Sequence, residues 1–255
     1  MPPKSSRRKR LSRRTLAAAL LLILTVILLV IGGPLLQTME WKFTLFGHPV
    51  VLRLHYGASI LILLFAMGPF FMVFEKRRPQ ARELIVIATL SAIAVLGRAI
   101  FFMLPNFKPV CAIVIIAGVC FGAEAGFLVG AVSGFVSNFI YMQGIHTPWQ
   151  MVGFALVGFF AGLLFSGEGR RKSRTALCVY GFFSTLILYG GIVNVSQILA
   201  AQAAVTWQLI LAAYLSALPW DLIHACSSVI FLYLLSRPMI EKLERIKLKY
   251  GILEP

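Results

Sequence analysis

Thr15-LAAALLLILTVILLVIGGPLL-Gln37 runs for 23 residues without one charged side chain. A helix needs about 20 predominantly apolar residues to cross the hydrocarbon core of a bilayer, so this stretch reads as a membrane span. Arg7, Arg8, Lys9, Arg10, Arg13 and Arg14 stand just before it. A basic region before an apolar one also describes a secretory signal peptide. This run is longer than a signal core, however, and Pro34-Leu-Leu-Gln37 is a poor cleavage site, so the anchor reading is preferred.

Working outward, apolar runs follow at Gly57–Phe74, Leu84–Leu104, Val110–Phe121, Ala123–Tyr141 and Trp149–Phe165, and a long apolar tract covers Thr175–Ser236. Pro219 suits the first turn of a helix, where its missing N–H costs nothing. The last crossing is therefore expected at Pro219–Leu235, with residues near Gln197–Leu218 as an outer-leaflet helix or hairpin. The expected fold is an all-α integral membrane protein of about eight transmembrane helices. The composition agrees: of 255 residues 59% are apolar and only 13% charged, against about 25% charged in soluble domains.

The formal charge of +15 would suggest nucleic acid on a soluble surface, but its distribution excludes that. Seven basic residues lie in the N-terminal tail, four from Lys76 to Arg82, four from Arg170 to Arg174 and five from Arg237 onward, 20 of the 24 in total. Cytoplasmic loops carry excess Lys and Arg. Eight crossings with both termini inside put all four segments on the cytoplasmic side, leaving Lys42, Arg53 and Lys108 outside and Arg98 within a span. Cys111, Cys120, Cys178 and Cys226 lie in apolar segments with no paired spacing, which indicates neither a disulfide framework nor a metal site. No Walker-type, His-Glu-x-x-His or Gly-x-Ser-x-Gly motif is present, so the chain does not hydrolyse ATP by itself.

Gly122, Gly126, Gly130 and Gly134 form one helical stripe that lets helices approach closely in lipid. Asn138 continues it, as a ligand group or as a packing amide. Ala88 and Ala92 form a second, weaker small-residue pair. Arg98 needs a partner inside a span; Asp221 and Glu124 are the candidates. Polar and aromatic residues gather in three expected outer segments: Pro105-Asn-Phe-Lys-Pro109, Tyr141-Met-Gln-Gly-Ile-His-Thr-Pro-Trp-Gln150 and Pro219-Trp-Asp-Leu-Ile-His224. Asp221, the chain's one aspartate, could cap its own helix, and Trp149, Trp207, Trp220 and Tyr141 could be interfacial belt residues. Together the segments describe a pocket open to the outside for a polar ligand containing rings. No pair has the arrangement of an acid–base or nucleophilic site, so binding is favoured over catalysis and no cofactor is expected.

Residues from about Ala81 to Pro238 resemble the substrate-binding S components of energy-coupling factor (ECF) vitamin transporters. The resemblance rests on six crossings, Ala88-x-x-x-Ala92, Pro105-Asn-Phe-Lys-Pro109, Phe121-Gly-Ala-Glu-Ala-Gly126, Thr147-Pro-Trp-Gln150 and Pro219-Trp-Asp-Leu-Ile-His224. It implies a subunit in a bacterial cell membrane that captures a water-soluble vitamin from outside, docks on a T component driven by two ABC-type ATPase subunits, and topples to release its cargo. The segments look most like S components associated with cobalamin or similar large ring compounds. Carried onto this chain, the implied substrate-binding residues are Asn106, Phe107, Lys108, Asn138, Tyr141, Gln143, Trp149, Gln150, Trp220, Asp221 and His224, and Ala88 and Ala92 are the implied T-component contact. The expected organisation is a basic tail and two additional helices over 1–80, a six-helix binding domain over 81–238 and a basic cytoplasmic tail over 239–255. An alternative is a membrane enzyme acting on a lipid or isoprenoid, with Asp221 and His224 as acid and base. A third is a structural or sensory membrane subunit.

Overall fold

The computed structural model describes residues 13–36, 40–45, 48–76, 80–167, 173–200 and 206–250. Most of the N-terminal basic tail, Arg77–Pro79 and Arg170–Lys172 lie outside the described residues. Helices α1 (Arg13–Leu36) and α2 (Leu54–Lys76) are joined through an antiparallel hairpin, β1 (Glu40–Leu45) with β2 (His48–Arg53), in which Glu40 pairs with Arg53 and Leu45 with His48. Then come α3 (Ala81–Ile100), α4 (Val110–Phe121), α5 (Ala123–Tyr141) and α6 (Thr147–Phe165). Helix α7 (Arg174–Phe183) continues through a π-helical stretch, Ser184–Gly190, into α8 (Gly191–Ala200), and α9 covers Trp207–Tyr250. Counting α7 to α8 as one rod, the described chain is an all-α membrane protein of eight helical rods with one small hairpin. Large apolar side chains such as Leu20, Phe65, Ile100 and Phe139 stand on the outside of these rods, as lipid contact requires.

Five helices among the described residues are long and apolar enough to cross a membrane: α3, α5, α6, the α7–α8 rod and α9. Helix α4 differs. Its 12 residues are all buried, and at a rise of 1.5 Å per residue they cover about 18 Å of a core about 30 Å thick. Neighbours therefore enclose α4 on every side, and its short length leaves room at one end of the bundle.

Close packing holds this centre together. A Cβ on Gly126 or Gly118 would meet the backbone of Gly158, and one on Gly158 would meet that of Gly126. The glycine stripe of α5 thus lies directly against α6, as expected of small residues in lipid. Gly122 has a different role. A Cβ there would meet nothing within 4 Å, but its φ of +96° lets the chain reverse between α4 and α5 through one residue. The α1–α2 pair packs on the bundle. Phe70 of α2 stacks on Phe127 of α5 with centroids 3.8 Å apart and meets Phe159 of α6 edge-on at 5.5 Å. Thr15 at the start of α1 donates to Glu124 Oε1 at 2.6 Å.

Four sequence expectations need correction. Pro219 does not open the last crossing: Trp207–Tyr250 is one 44-residue helix with Pro219 and Pro238 inside it. An interior proline forfeits one backbone bond, which neighbouring helices in a membrane can compensate. Here the Tyr214 hydroxyl donates to the Gly191 carbonyl at 2.7 Å, holding the first part of α9 against α8. It follows, second, that Asp221 sits mid-helix and caps nothing. Third, Arg98 lies in the last turn of α3 rather than mid-span, because α3 stops at Ile100 instead of running to Leu104. Fourth, Arg98 pairs with neither Asp221 nor Glu124, as its surroundings make plain below.

Candidate functional site

A cavity of about 280 Å³ opens beyond the first turn of α4, and Val110 lines it. Helix α3 brings Arg98 to it, and the connection to α4 brings Phe102, Pro105, Asn106 and Lys108. Helix α5 adds Asn138 and Tyr141. His146, Gln150 and Phe154 come from the start of α6, Tyr189 from the π-helical stretch and His224 from α9. The cavity lies at the end of α3 opposite its start at Ala81. At that other end Lys247 of α9 donates to the carbonyl of Cys120, the penultimate residue of α4, at 2.9 Å. Arg82 and Lys247 therefore stand at the end of the bundle opposite the cavity.

The connection from α3 to α4 is held by capping. The last carbonyls of a helix have no intrahelical donor, and cations are favoured there. Lys108 Nζ donates to the carbonyls of Phe101 at 2.5 Å and Phe102 at 3.3 Å, and the Tyr141 hydroxyl donates to that of Arg98 at 2.5 Å. Lys108 N donates to Ser227 Oγ at 3.2 Å, and Ser227 Oγ in turn donates to the Lys108 carbonyl at 3.0 Å, fastening the loop to α9. Asn106 takes φ +52°, a left-handed conformation that asparagine tolerates better than most residues.

Arg98 is 6% exposed. Its guanidinium donates to Ser137 Oγ and, at 3.5 Å, to Asn138 Oδ1. It also lies 4.6 Å from the Tyr141 ring centroid and 5.5 Å from that of Phe154. Its Nε has no hydrogen-bond partner. Asn138 is itself fixed, because its Nδ2 donates to Thr147 Oγ1 at 3.1 Å and to Gln150 Oε1 at 3.0 Å. Burial holds the Lys108 ammonium below the usual lysine range, with repulsion from Arg98 as the lesser cause. Burial likewise holds the His146 imidazole below the usual histidine range. The far wall is aromatic: Phe154 stacks on Tyr189 at 4.4 Å, and Tyr189 meets the His224 ring edge-on at 4.9 Å.

Of the residues expected from sequence, Asn106, Lys108, Asn138, Tyr141, Gln150 and His224 line this cavity, and five lie elsewhere. Phe107 packs between Phe101 and Phe231. Gln143 is exposed and donates to the Phe135 carbonyl at 3.0 Å. Trp149 is 1% exposed, within the core, and Trp220 is 48% exposed. Asp221 accepts from Asn194 Nδ2 at 2.7 Å, outside the cavity lining and without a hydrogen bond to His224. The lining also holds Arg98, Phe102, Pro105, Val110, His146, Phe154 and Tyr189, which the sequence reading left out of the set. Arg98 and His146 carried a signal, one as a charge at a helix end and the other within a polar outer segment. Phe154 and Tyr189 lie in continuous apolar runs and carried none.

The family model for the substrate-specific component of ECF transporters matches residues 82–236, which is α3 to most of α9 and more than half of the chain. The chain belongs to this family. No curated protein and no solved structure matches it. As an S component the chain is a multi-pass membrane subunit for transport, not an enzyme, and the acid–base reading of Asp221 and His224 is set aside. S components work with T and ATPase modules, which fits a chain without a nucleotide-binding motif.

Proposed function

We propose that this S component captures a water-soluble vitamin in the cavity between Arg98 and Tyr189 and delivers it inward through a T component and two ATPase subunits. The observation that carries the reading is the cavity itself: a recess with convergent polar groups and an aromatic wall, at the end of the bundle opposite Arg82 and Lys247. With Lys and Arg marking the cytoplasmic side, the cavity faces outward and both termini lie inside. Residues 81–238 are the binding domain in this reading, 1–80 an additional helix pair and 239–255 a basic tail. Ala88 and Ala92 are both exposed on α3, which supports their use as a contact for the T component.

A cavity of about 280 Å³ stands at the small end of ligand sites, which span about 300–1,000 Å³. It favours a compact vitamin over cobalamin, whose corrin ring and nucleotide exceed it. Thermal unfolding of the purified protein with a panel of vitamins tests the reading. A ligand with a Kd near 10 nM, at 10 μM free, stabilises by about 4 kcal/mol. Absence of any shift, together with absence of a copurifying T component, overturns it.

A further inference from the structure

We infer that the cavity takes an anionic ligand, a compact ring compound bearing a carboxylate, with Arg98 as the group that holds the charge. This rests on the reading of the cavity as the vitamin site.

The lining carries two cationic side chains, Arg98 and Lys108, and no Asp or Glu. A buried cation is costly unless paired, and Arg98 finds only neutral acceptors in Ser137 and Asn138. Its Nε donor is buried and unpartnered. Guanidinium presents its N–H groups as a planar fork matched to a carboxylate, so a bound carboxylate would answer the charge. The orientation of the fork is already set, since the Tyr141 ring lies 4.6 Å away on one side and Asn138 is held by Thr147 and Gln150.

Two further features have the same sign. Val110 lines the cavity as the first residue of α4, and the first N–H groups of a helix lack intrahelical acceptors and carry partial positive charge. Ile113 N donates to the Pro109 carbonyl at 3.1 Å, so the helical ladder begins there and the N–H groups of Val110, Cys111 and Ala112 stand ahead of it. Lys108 is the second feature. Two of its donors cap α3, and its ammonium stands near a second cation whose repulsion an anion would relieve. A neutral or cationic ligand would leave both charges facing each other.

Matched acids and amides separate this inference from the capture reading. Isothermal titration of the detergent-purified chain is run with nicotinate and nicotinamide and with biotin and biotinamide, with riboflavin and thiamine as neutral and cationic vitamins. One acid is expected to bind, with its uncharged partner weaker by roughly 100-fold or more, as for the loss of one partner of a buried charge pair. Arg98→Gln should weaken the acid by a similar factor and the uncharged partner far less. Because the wild-type comparison needs no variant, misfolding of Arg98→Gln would not spare the inference. Binding of riboflavin, thiamine or an amide as tight as that of any acid overturns the anionic assignment while leaving vitamin capture intact. Binding of nothing in the panel, with no compound released from the purified protein on mass spectrometry, overturns both.

Discussion

The phenol of Tyr141 donates to the backbone carbonyl of Arg98 at 2.5 Å, and the same ring lies 4.6 Å from the Arg98 guanidinium. One side chain from α5 thus caps the end of α3 and supports the charge that α3 presents to the cavity. The two contacts use different parts of the tyrosine, so substitutions can separate them.

Tyr141→Phe keeps the ring and removes the hydroxyl, leaving the Arg98 carbonyl short of a donor. The expected cost is about 0.5–1.5 kcal/mol of stability. Tyr141→Leu removes the ring as well and should cost about 0.5–2 kcal/mol more, the range of a cation–π contact. Thermal unfolding of both variants checks this; equal losses would show that the ring contributes nothing.

Gly158→Ala sets a methyl group against the backbone of Gly126 and a methyl of Val114. Backbone cannot yield as a side chain end can, so α5 and α6 must separate. Overpacking of this kind costs about 1–3 kcal/mol. A lowered unfolding temperature is the expected result. Gly68→Ala serves as the control, because a Cβ there meets nothing within 4 Å.

Phe70 and Phe127 stack at 3.8 Å with planes 10° apart. A double-mutant cycle with Phe70→Leu and Phe127→Leu should give a coupling of about 0.5–1.5 kcal/mol. A coupling of zero would show that the α1–α2 pair does not dock through these rings.

Lys108 governs the alkaline limb of acid binding. Burial and Arg98 hold its pKa below 10.5 in the empty site, while a bound carboxylate would raise it. Affinity for the acid is therefore flat below the empty-site value and falls as pH rises through it, by up to tenfold per unit until the bound-state value is reached. Arg98, Tyr141 and His224 are the other charged or titratable groups near the ammonium. Titrations across pH 7–10 should lose this slope in Lys108→Met and keep it in Tyr141→Phe.

Ala88 and Ala92 are exposed and touch nothing the cavity needs. Changing both to Leu should alter stability by no more than about 0.5 kcal/mol and leave ligand affinity unchanged. Loss of copurification with a coexpressed T component is the expected outcome. Undiminished assembly would remove α3 from the proposed interface.

Helix positions were legible wherever hydropathy and punctuation agree. Val110–Phe121 and Ala123–Tyr141 come out at their observed bounds because Pro109 opens one and Gly122 divides the two. Pro219 misled because the same residue type opens helices in water and is tolerated inside them in lipid. The site was legible where polar residues interrupt apolar sequence, as at Asn106, Lys108 and Gln150. It was illegible at Phe154 and Tyr189, since lipid is as apolar as a protein core and an aromatic residue facing either looks the same in the chain.

The amino-acid order therefore determined that the chain is an all-α membrane protein and where along it the basic residues gather, because each is a local property of 20 or so residues in apolar surroundings. Only the tertiary structure decided what Arg98 faces. Its partners Ser137, Asn138 and Tyr141 lie about 40 positions away in the chain, and they converge on it because glycines draw α5 against α6 and the short α4 leaves a recess above its first turn. Which side chains meet in that recess depends on helix rotation and packing depth, and neither leaves a trace in hydropathy.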